Sequence, residues 1–288
     1  MKAIYKKELK SYFTSMMGYV YVAFVLLMVG IYFIAYNING GYPLIGYSLS
    51  TVTFLFLILV PLLTMRALSE EQKNKTDQLL YTSPISIFQI VLGKYLALLT
   101  VFFIPILVIC TFPLIMGRYG KLDYGMSYLA IFGFFLLGAA YIAVGLFISS
   151  ITESQIIAGV ISFSVLLVTY LITGISSFLS NTAITSLIAF TILTILLCLG
   201  YYIMTKNIIL SVGLFIIAEG ILFALYIGKK TIFEGGFAKV LNTLDLASAS
   251  NNMIQNGILD ISSIIYYLSV IGLFLFFTVQ SIQKRRWS

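Results

Sequence analysis

Few residues of this 288-residue chain could do chemistry, and their placement says what kind. Only 9% are charged and histidine is absent, which removes the commonest metal ligand and the commonest general base together. One polar stretch, Arg66 to Lys94, gathers Arg66, Glu70, Glu71, Lys73, Lys75, Asp77 and Lys94 between two long apolar segments. So dense a patch of ions in so apolar a chain must lie in water. Its chemistry is that of a docking surface for a partner protein. A second, smaller polar turn runs from Ser150 to Gln155 and carries Thr152 and Glu153. Glu219 is the sole acidic residue deep within a long apolar run. A carboxylate there costs on the order of 3 kcal/mol, so it must face other helices, be protonated or line a wet path. It could bind a cationic group or a proton, or simply hold two helices together through a hydrogen bond. No cluster of acid, base and nucleophile accompanies it, which argues against an intramembrane hydrolase or transferase.

The elements that position these groups follow from composition. The chain is 60% hydrophobic, against about 45–50% for soluble domains, and its apolar residues fall in runs of 18 or more. In lipid such runs must be helices, since every backbone group has to be satisfied within the segment. The predicted class is therefore an all-α integral membrane protein with about eight spans. Their approximate limits are 17–36, 47–65, 88–116, 126–149, 155–178, 183–204, 208–227 and 263–282. Pro61 should kink the second, and Pro105 and Pro113 should bend the third. The runs at 183–204 and 208–227, joined only by Thr205-Lys206-Asn207, read as a helical hairpin; half-inserted, it would leave six full spans. Residues 1–16 place Tyr5, Leu9, Tyr12, Phe13 and Met16 opposite Lys6, Lys7 and Lys10, the pattern of an amphipathic interfacial helix, or else a positive flank that sets orientation. The first span lacks a cleavage site and is expected to stay as a membrane anchor.

The net charge of +7 gathers beside spans and not on a soluble domain, so topology explains it better than nucleic acid does. With both termini inside, twelve of the 17 Lys and Arg lie on the inner side and five on the outer. Cys110 and Cys198 fall in apolar runs and read as packing residues. In 228–262, Phe233, Phe237, Val240, Leu241 and Leu244 recur at helical spacing and predict an external helix. Asn256-Gly257 should end a short turn, and Asp260 should cap the last span. Capping boxes are legible at Ser69–Gln72, Ser86–Gln89 and Thr152–Gln155. Gly138, Gly145 and Ser149 form a small-residue strip on span four, read as packing within the chain ahead of a dimer seam.

The strings Ser69-Glu70-Glu71, Lys75-Thr76-Asp77-Gln78-Leu79-Leu80-Tyr81-Thr82-Ser83-Pro84 and Ile90-Val91-Leu92-Gly93-Lys94 resemble the loop between spans two and three of ABC-2 type transporter permeases. The ending, Gly257-Ile258-Leu259-Asp260, Tyr266-Tyr267-Leu268-Ser269 and Arg285-Arg286-Trp287, is similar to the gliding-motility branch of that family. The resemblance covers the chain apart from the hairpin at 183–227. It implies one ABC-2 type transmembrane domain over 1–288: an ATP-driven exporter permease in a bacterial cell membrane, with both termini cytoplasmic. The implied partners are cytosolic ABC ATPase subunits, a second permease (homodimer or heterodimer) and the lipid bilayer, with an extracytoplasmic accessory protein as a further candidate. The cofactors implied, ATP and magnesium, belong to the ATPase. Gly228-Lys229-Lys230-Thr231 lacks the glycine and spacing of a phosphate-binding loop, so this chain should not hydrolyse ATP. By resemblance, residues 66–87 are the coupling loop, and contact with the ATPase falls on Ser69, Glu70, Glu71, Thr76, Asp77, Leu79, Leu80, Thr82 and Pro84, joined by Thr152 and Glu153 of the second turn. The chain departs from the family pattern at Lys75 and Gln78. The competing reading is a secondary transporter or channel without an ATPase, which would call for broken helices in matched halves.

Overall fold

The structure is a computed structural model that describes residues 1–76, 85–118, 120–178, 180, 182–228 and 233–287. No strand occurs among them, as expected where lipid leaves the backbone no other partner than its own helix. A short helix α1 (Lys2–Thr14) leads into α2 (Met16–Tyr32), which continues as a π-helix over Phe33–Asn39. Span two is assembled from α3 (Gly46–Val52), a 3₁₀ turn at Thr53–Leu55 and α4 (Phe56–Thr64). Pro61 stays inside α4, so the irregularity falls about two turns earlier than the expected kink at the proline. The helix α5 (Ser69–Lys73) follows. Span three is α6 (Ile87–Ile109) with Pro105 inside it, then α7 (Phe112–Met116), begun by Pro113; the break between the two realises the expected bend. Next come α8 (Tyr124–Ile151) and α9 (Gln155–Phe178), the hairpin α10 (Ala183–Thr205) and α11 (Ile208–Gly228), then α12 (Gly236–Leu244), α13 (Leu246–Ala249), α14 (Asn251–Ile254) and α15 (Ile261–Trp287).

Seven of the described helical segments are long and apolar enough to cross a membrane. The expected eighth, α10, is helical over 23 residues, Ala183–Thr205, with a described apolar run over Ala183–Leu199.

The chain divides into two compact units, residues 1–170 with 246–288, and residues 171–245. In the first unit α8 is the centre, with 83% of its most apolar window buried. Helices α3, α4, α6, α14 and α15 all pack on it. Small residues make this possible. A side chain on Gly138 would sit 2.4 Å from the Phe102 ring, and one on Gly145 would sit 2.3 Å from Thr64 Oγ1. The small-residue strip thus packs within the chain, against α6 and α4, as expected. Around it Phe56, Phe102, Phe134 and Tyr141 form an aromatic core, with Phe56 and Phe134 4.6 Å apart between ring centroids and Phe56 edge-on to Tyr141. The amphipathic segment at the start docks on protein: Ile4 and Tyr12 are buried, and Tyr5 meets Thr100 of α6 at 3.1 Å. Met16, expected on the same apolar face, is 80% exposed. Asp260 accepts from the Ser262 amide at 3.0 Å and the Ser263 hydroxyl at 2.8 Å, so it caps α15 as anticipated. Gly257 has a φ of +60°, as the turn at Asn256-Gly257 requires.

The second unit is the hairpin with the end of α9 and α12. Lys206 takes a left-handed conformation at the C-cap of α10, and its amide bonds the Tyr202 carbonyl at 2.7 Å, which turns the chain in two residues, Lys206 and Asn207. Phe190 of α10 meets Phe237 and Phe233 edge-on at 5.2 and 6.1 Å. The expected external helix therefore exists over Gly236–Leu244, but its Phe237 rests on the hairpin.

Replacing Gly145 with alanine should lower thermal stability by about 1–3 kcal/mol, the usual penalty of overpacking. Gly272→Ala, where nothing lies within 4 Å, should be neutral or mildly stabilising. Melting of the detergent-purified protein checks the pair.

Candidate functional site

Helix α4 ends at Thr64, and residues 65–68 turn before α5 begins. The end of any helix leaves carbonyls without partners, and burying them unmet costs about 1–3 kcal/mol each. Here the carbonyls of Leu63, Thr64, Met65 and Ala67 have found partners. The Tyr12 hydroxyl donates to the Leu63 carbonyl at 3.0 Å, and the Ala67 amide to the Thr64 carbonyl at 3.0 Å. The hydroxyls of Ser69 and Ser149 both donate to the Met65 carbonyl, the second at 3.3 Å. The Lys94 ammonium donates to the Ala67 carbonyl at 2.7 Å. The free amides ahead of α5 are met as well, since Leu68 N and Ser69 N donate to Ser149 Oγ at 3.1 and 3.2 Å. An irregular turn is thus held group by group from α1, α6 and α8.

Lys94 is the one charged group among these anchors, with a side chain only 1% exposed. Besides the Ala67 carbonyl it meets two carboxylates, Glu8 of α1 at 2.9 Å and Glu71 of α5 at 2.8 Å. Removing an ammonium from water costs several kcal/mol, and two anions with a carbonyl are what can offset it. Lys7, at the rim, adds a bond to Glu71 at 3.1 Å. Burial would lower the Lys7 ammonium, but the hydrogen bond and charge of Glu71 outweigh it, so its pKa lies above the ordinary value. Burial, helped by the Glu8 charge, pushes the Tyr12 phenol well above its ordinary range, which keeps it a donor at any physiological pH. Gly93 lets α1 come this close: a side chain there would meet Ile4 at 3.3 Å. A polar cleft of about 210 Å³ opens beside the cluster, lined by Lys7, Glu8, Ser11, Arg66, Glu70, Asn74 and Thr76 among others.

The second polar turn joins from the other side. Gln72 Nε2 donates to the Ser150 carbonyl at 2.9 Å, and Ser281 Oγ of α15 donates to the same carbonyl at 3.3 Å. Arg285 donates to the Ile151 carbonyl at 3.1 Å and pairs with Glu153 at 3.7 Å. The two polar stretches and the end of the last helix therefore form one connected face.

The site residues expected from the sequence divide accordingly. Ser69 and Gln72 are buried, and Glu71 turns inward with 13% of its side chain exposed. Glu70 pairs with Arg66 one turn back, while Lys73, Asn74, Lys75 and Thr76 are exposed. Glu153 is 74% exposed. Asp77, Leu79, Leu80, Thr82 and Pro84 lie outside the described residues. The N-cap at Ser86 forms, its hydroxyl accepting from the Gln89 amide at 3.3 Å. Those at Ser69 and Thr152 do not: both hydroxyls bond back four residues, to the Met65 and Ile148 carbonyls. A hydroxyl four residues past an unmet carbonyl is captured by it before it can cap forward. Glu8 and the burial of Lys94 were missed, although Glu8 is the single acidic residue among Lys2, Lys6, Lys7 and Lys10, a signal open to reading.

Glu219 sits apart, in the hairpin, where its Oε1 accepts from the Thr194 hydroxyl at 2.6 Å. That bond ties α10 to α11, which is the structural role considered for it above.

The family model described as ABC-2 family transporter protein matches residues 45–216, about three-fifths of the chain. The match takes in α10 and part of α11, so the hairpin is not wholly outside the family's extent as the resemblance had implied. No curated protein matches the chain.

Lys94→Met should cost about 3–5 kcal/mol by leaving Glu8 without its ion-pair partner and Glu71 with Lys7 alone, and adding Glu8→Gln and Glu71→Gln should recover much of the loss. Lys7→Gln, at a lysine 61% exposed, should change stability by less than about 1 kcal/mol. Thermal denaturation of the four proteins measures both. Glu219→Gln keeps an oxygen for Thr194 and should leave stability and transport near wild type; a large loss of transport with normal folding would assign the carboxylate to the substrate path.

Proposed function

From the premise that the chain belongs to the ABC-2 family of transporter proteins, and so is a multi-pass membrane permease of an ABC transporter, we propose that residues 66–87 couple it to a separate cytosolic ATPase. The observation that carries this reading is the anchoring of Met65–Lys73 to α1, α6, the α8 end and, through the Ser150 carbonyl, α15. A link that transmits force must not yield internally. Here a push on α5 is borne by hydrogen bonds and ion pairs to four helices, and so moves them and not the loop alone.

The reading also divides labour within the loop. Ser69, Glu71 and Gln72 face inward and serve as anchors, whereas Lys73, Asn74, Lys75 and Thr76 are the described residues open to a partner. The contact extends from there into Asp77, Leu79, Leu80, Thr82 and Pro84, with Thr152 and Glu153 beside it. ATP and magnesium belong to the partner, two permeases pair in the membrane, and both chain ends lie on the ATPase side. The substrate moves outward as the spans reorient.

The test separates anchor from contact. Lys73→Glu with Lys75→Glu should leave the permease folded yet cut transport-coupled ATP hydrolysis at least about tenfold, the loss of about 1.4 kcal/mol of docking energy. Glu71→Lys, which turns the buried pair into a like-charge clash, should instead lower the melting temperature. Purification from the native membrane without any ATP-hydrolysing subunit, or full coupling in the double lysine variant, would sink the proposal.

A further inference from the structure

A groove of about 690 Å³ runs between the ends of α8 and α15 and shares no lining residue with the cleft beside Lys94. One wall is Phe147 and Ile151, one turn apart on α8. The other is a single face of α15, where Phe277, Gln280, Ser281 and Lys284 follow at offsets of three, four and seven. Along that face the chemistry changes in order: aromatic and aliphatic toward the middle of the span, then amide and hydroxyl, then cation at the end of the helix. Phe147 and Phe277 face each other at 5.7 Å between centroids, and Ile151 is half exposed. Arg285 is fixed at the same end by the Ile151 carbonyl and Glu153. Lys284 is exposed, and among the described residues no carboxylate forms an ion pair with it.

We propose that this groove binds an anionic phospholipid of the leaflet at the end of the last span, with one acyl chain against Phe147, Ile151 and Phe277, the ester region beside Gln280 and Ser281, and the phosphate at Lys284. Charge complementarity selects the occupant. The apolar wall suits a lipid tail and not a free anion, and Lys284 stands at the end of the apolar span Ile261–Arg285, where a long cationic side chain can reach a headgroup phosphate. A lipid held here would touch the helix ends that carry the Ser150 and Ile151 carbonyls, and so would rest against the face described above.

Native mass spectrometry of the detergent-purified full-length permease, titrated with phosphatidylglycerol or phosphatidylcholine, tests this. The wild type should retain phosphatidylglycerol in preference to phosphatidylcholine. Lys284→Gln should bind phosphatidylglycerol about fivefold more weakly, the worth of one lysine at a membrane surface. Lys284→Arg should restore it, and Lys10→Gln, an exposed lysine elsewhere, should leave it unchanged. Phe277→Ala should weaken retention, and millimolar inorganic phosphate should not displace the lipid. Equal retention by Lys284→Gln and wild type, equal affinity for the two lipids, or displacement by phosphate would overturn the proposal. So would efficient disulfide linkage of two copies through Gln280→Cys in a background lacking Cys110 and Cys198, since the groove would then be a seam between permeases.

Discussion

Everything on the polar face depends on how the carbonyls released at the end of α4 are satisfied. A helix that ends inside a membrane protein exposes acceptors where water is scarce, and an unmet one costs as much as a typical destabilising mutation. This chain answers with Tyr12, Ser149 and Lys94, drawn from three different helices. Because each donor belongs to another element, satisfying the turn also fixes α1, α6 and α8 relative to it. Lys94 could not serve alone, since its own charge needs Glu8 and Glu71. The requirement of one turn thereby becomes a constraint on four helices.

The same logic explains why α8 is the centre of its unit. Its glycines let α4 and α6 approach closely, and Ser149 then supplies the hydroxyl that reaches the turn beyond α4. One helix face therefore does two kinds of work, dispersion packing along its length and hydrogen bonding at its end. The hairpin lies at the other extreme: only 6% of the most apolar window of α11 is buried, so its stability rests on lipid and on a few ties such as Thr194 to Glu219. In lipid, polar bonds of that kind carry more of the specificity than apolar contact, because tails are as apolar as side chains.

Architecture was largely legible beforehand because the bilayer leaves the backbone so few choices. Span positions, the break near Pro113, the left-handed turn at Gly257 and the cap at Asp260 all follow from local rules, and the chain obeys them. The small-residue strip was readable too, since nothing but close packing explains Gly138, Gly145 and Ser149 at those offsets. Local rules failed where two of them competed for one group. Ser69 and Thr152 have the spacing of capping boxes, yet a nearer unmet carbonyl claims each hydroxyl. The expected break at Pro61 moved to Thr53–Leu55.

The sequence by itself determined that this is a bundle of membrane helices with one dense polar stretch at 66–94 and a smaller one at 150–155, because hydrophobic run length and charge density are properties of the chain alone. The expectation that this stretch meets a partner rests on the same charge density. Only the tertiary structure decided which of its charges face inward. Lys94 and Glu8 are 86 residues apart, and Ser149 lies 81 beyond Leu68. No spacing rule spans such distances, since the pairing of a buried charge is set by which helices meet. That is why Lys94 and Glu71, two ions among many in the sequence, proved to be the ones that hold the polar stretch in place.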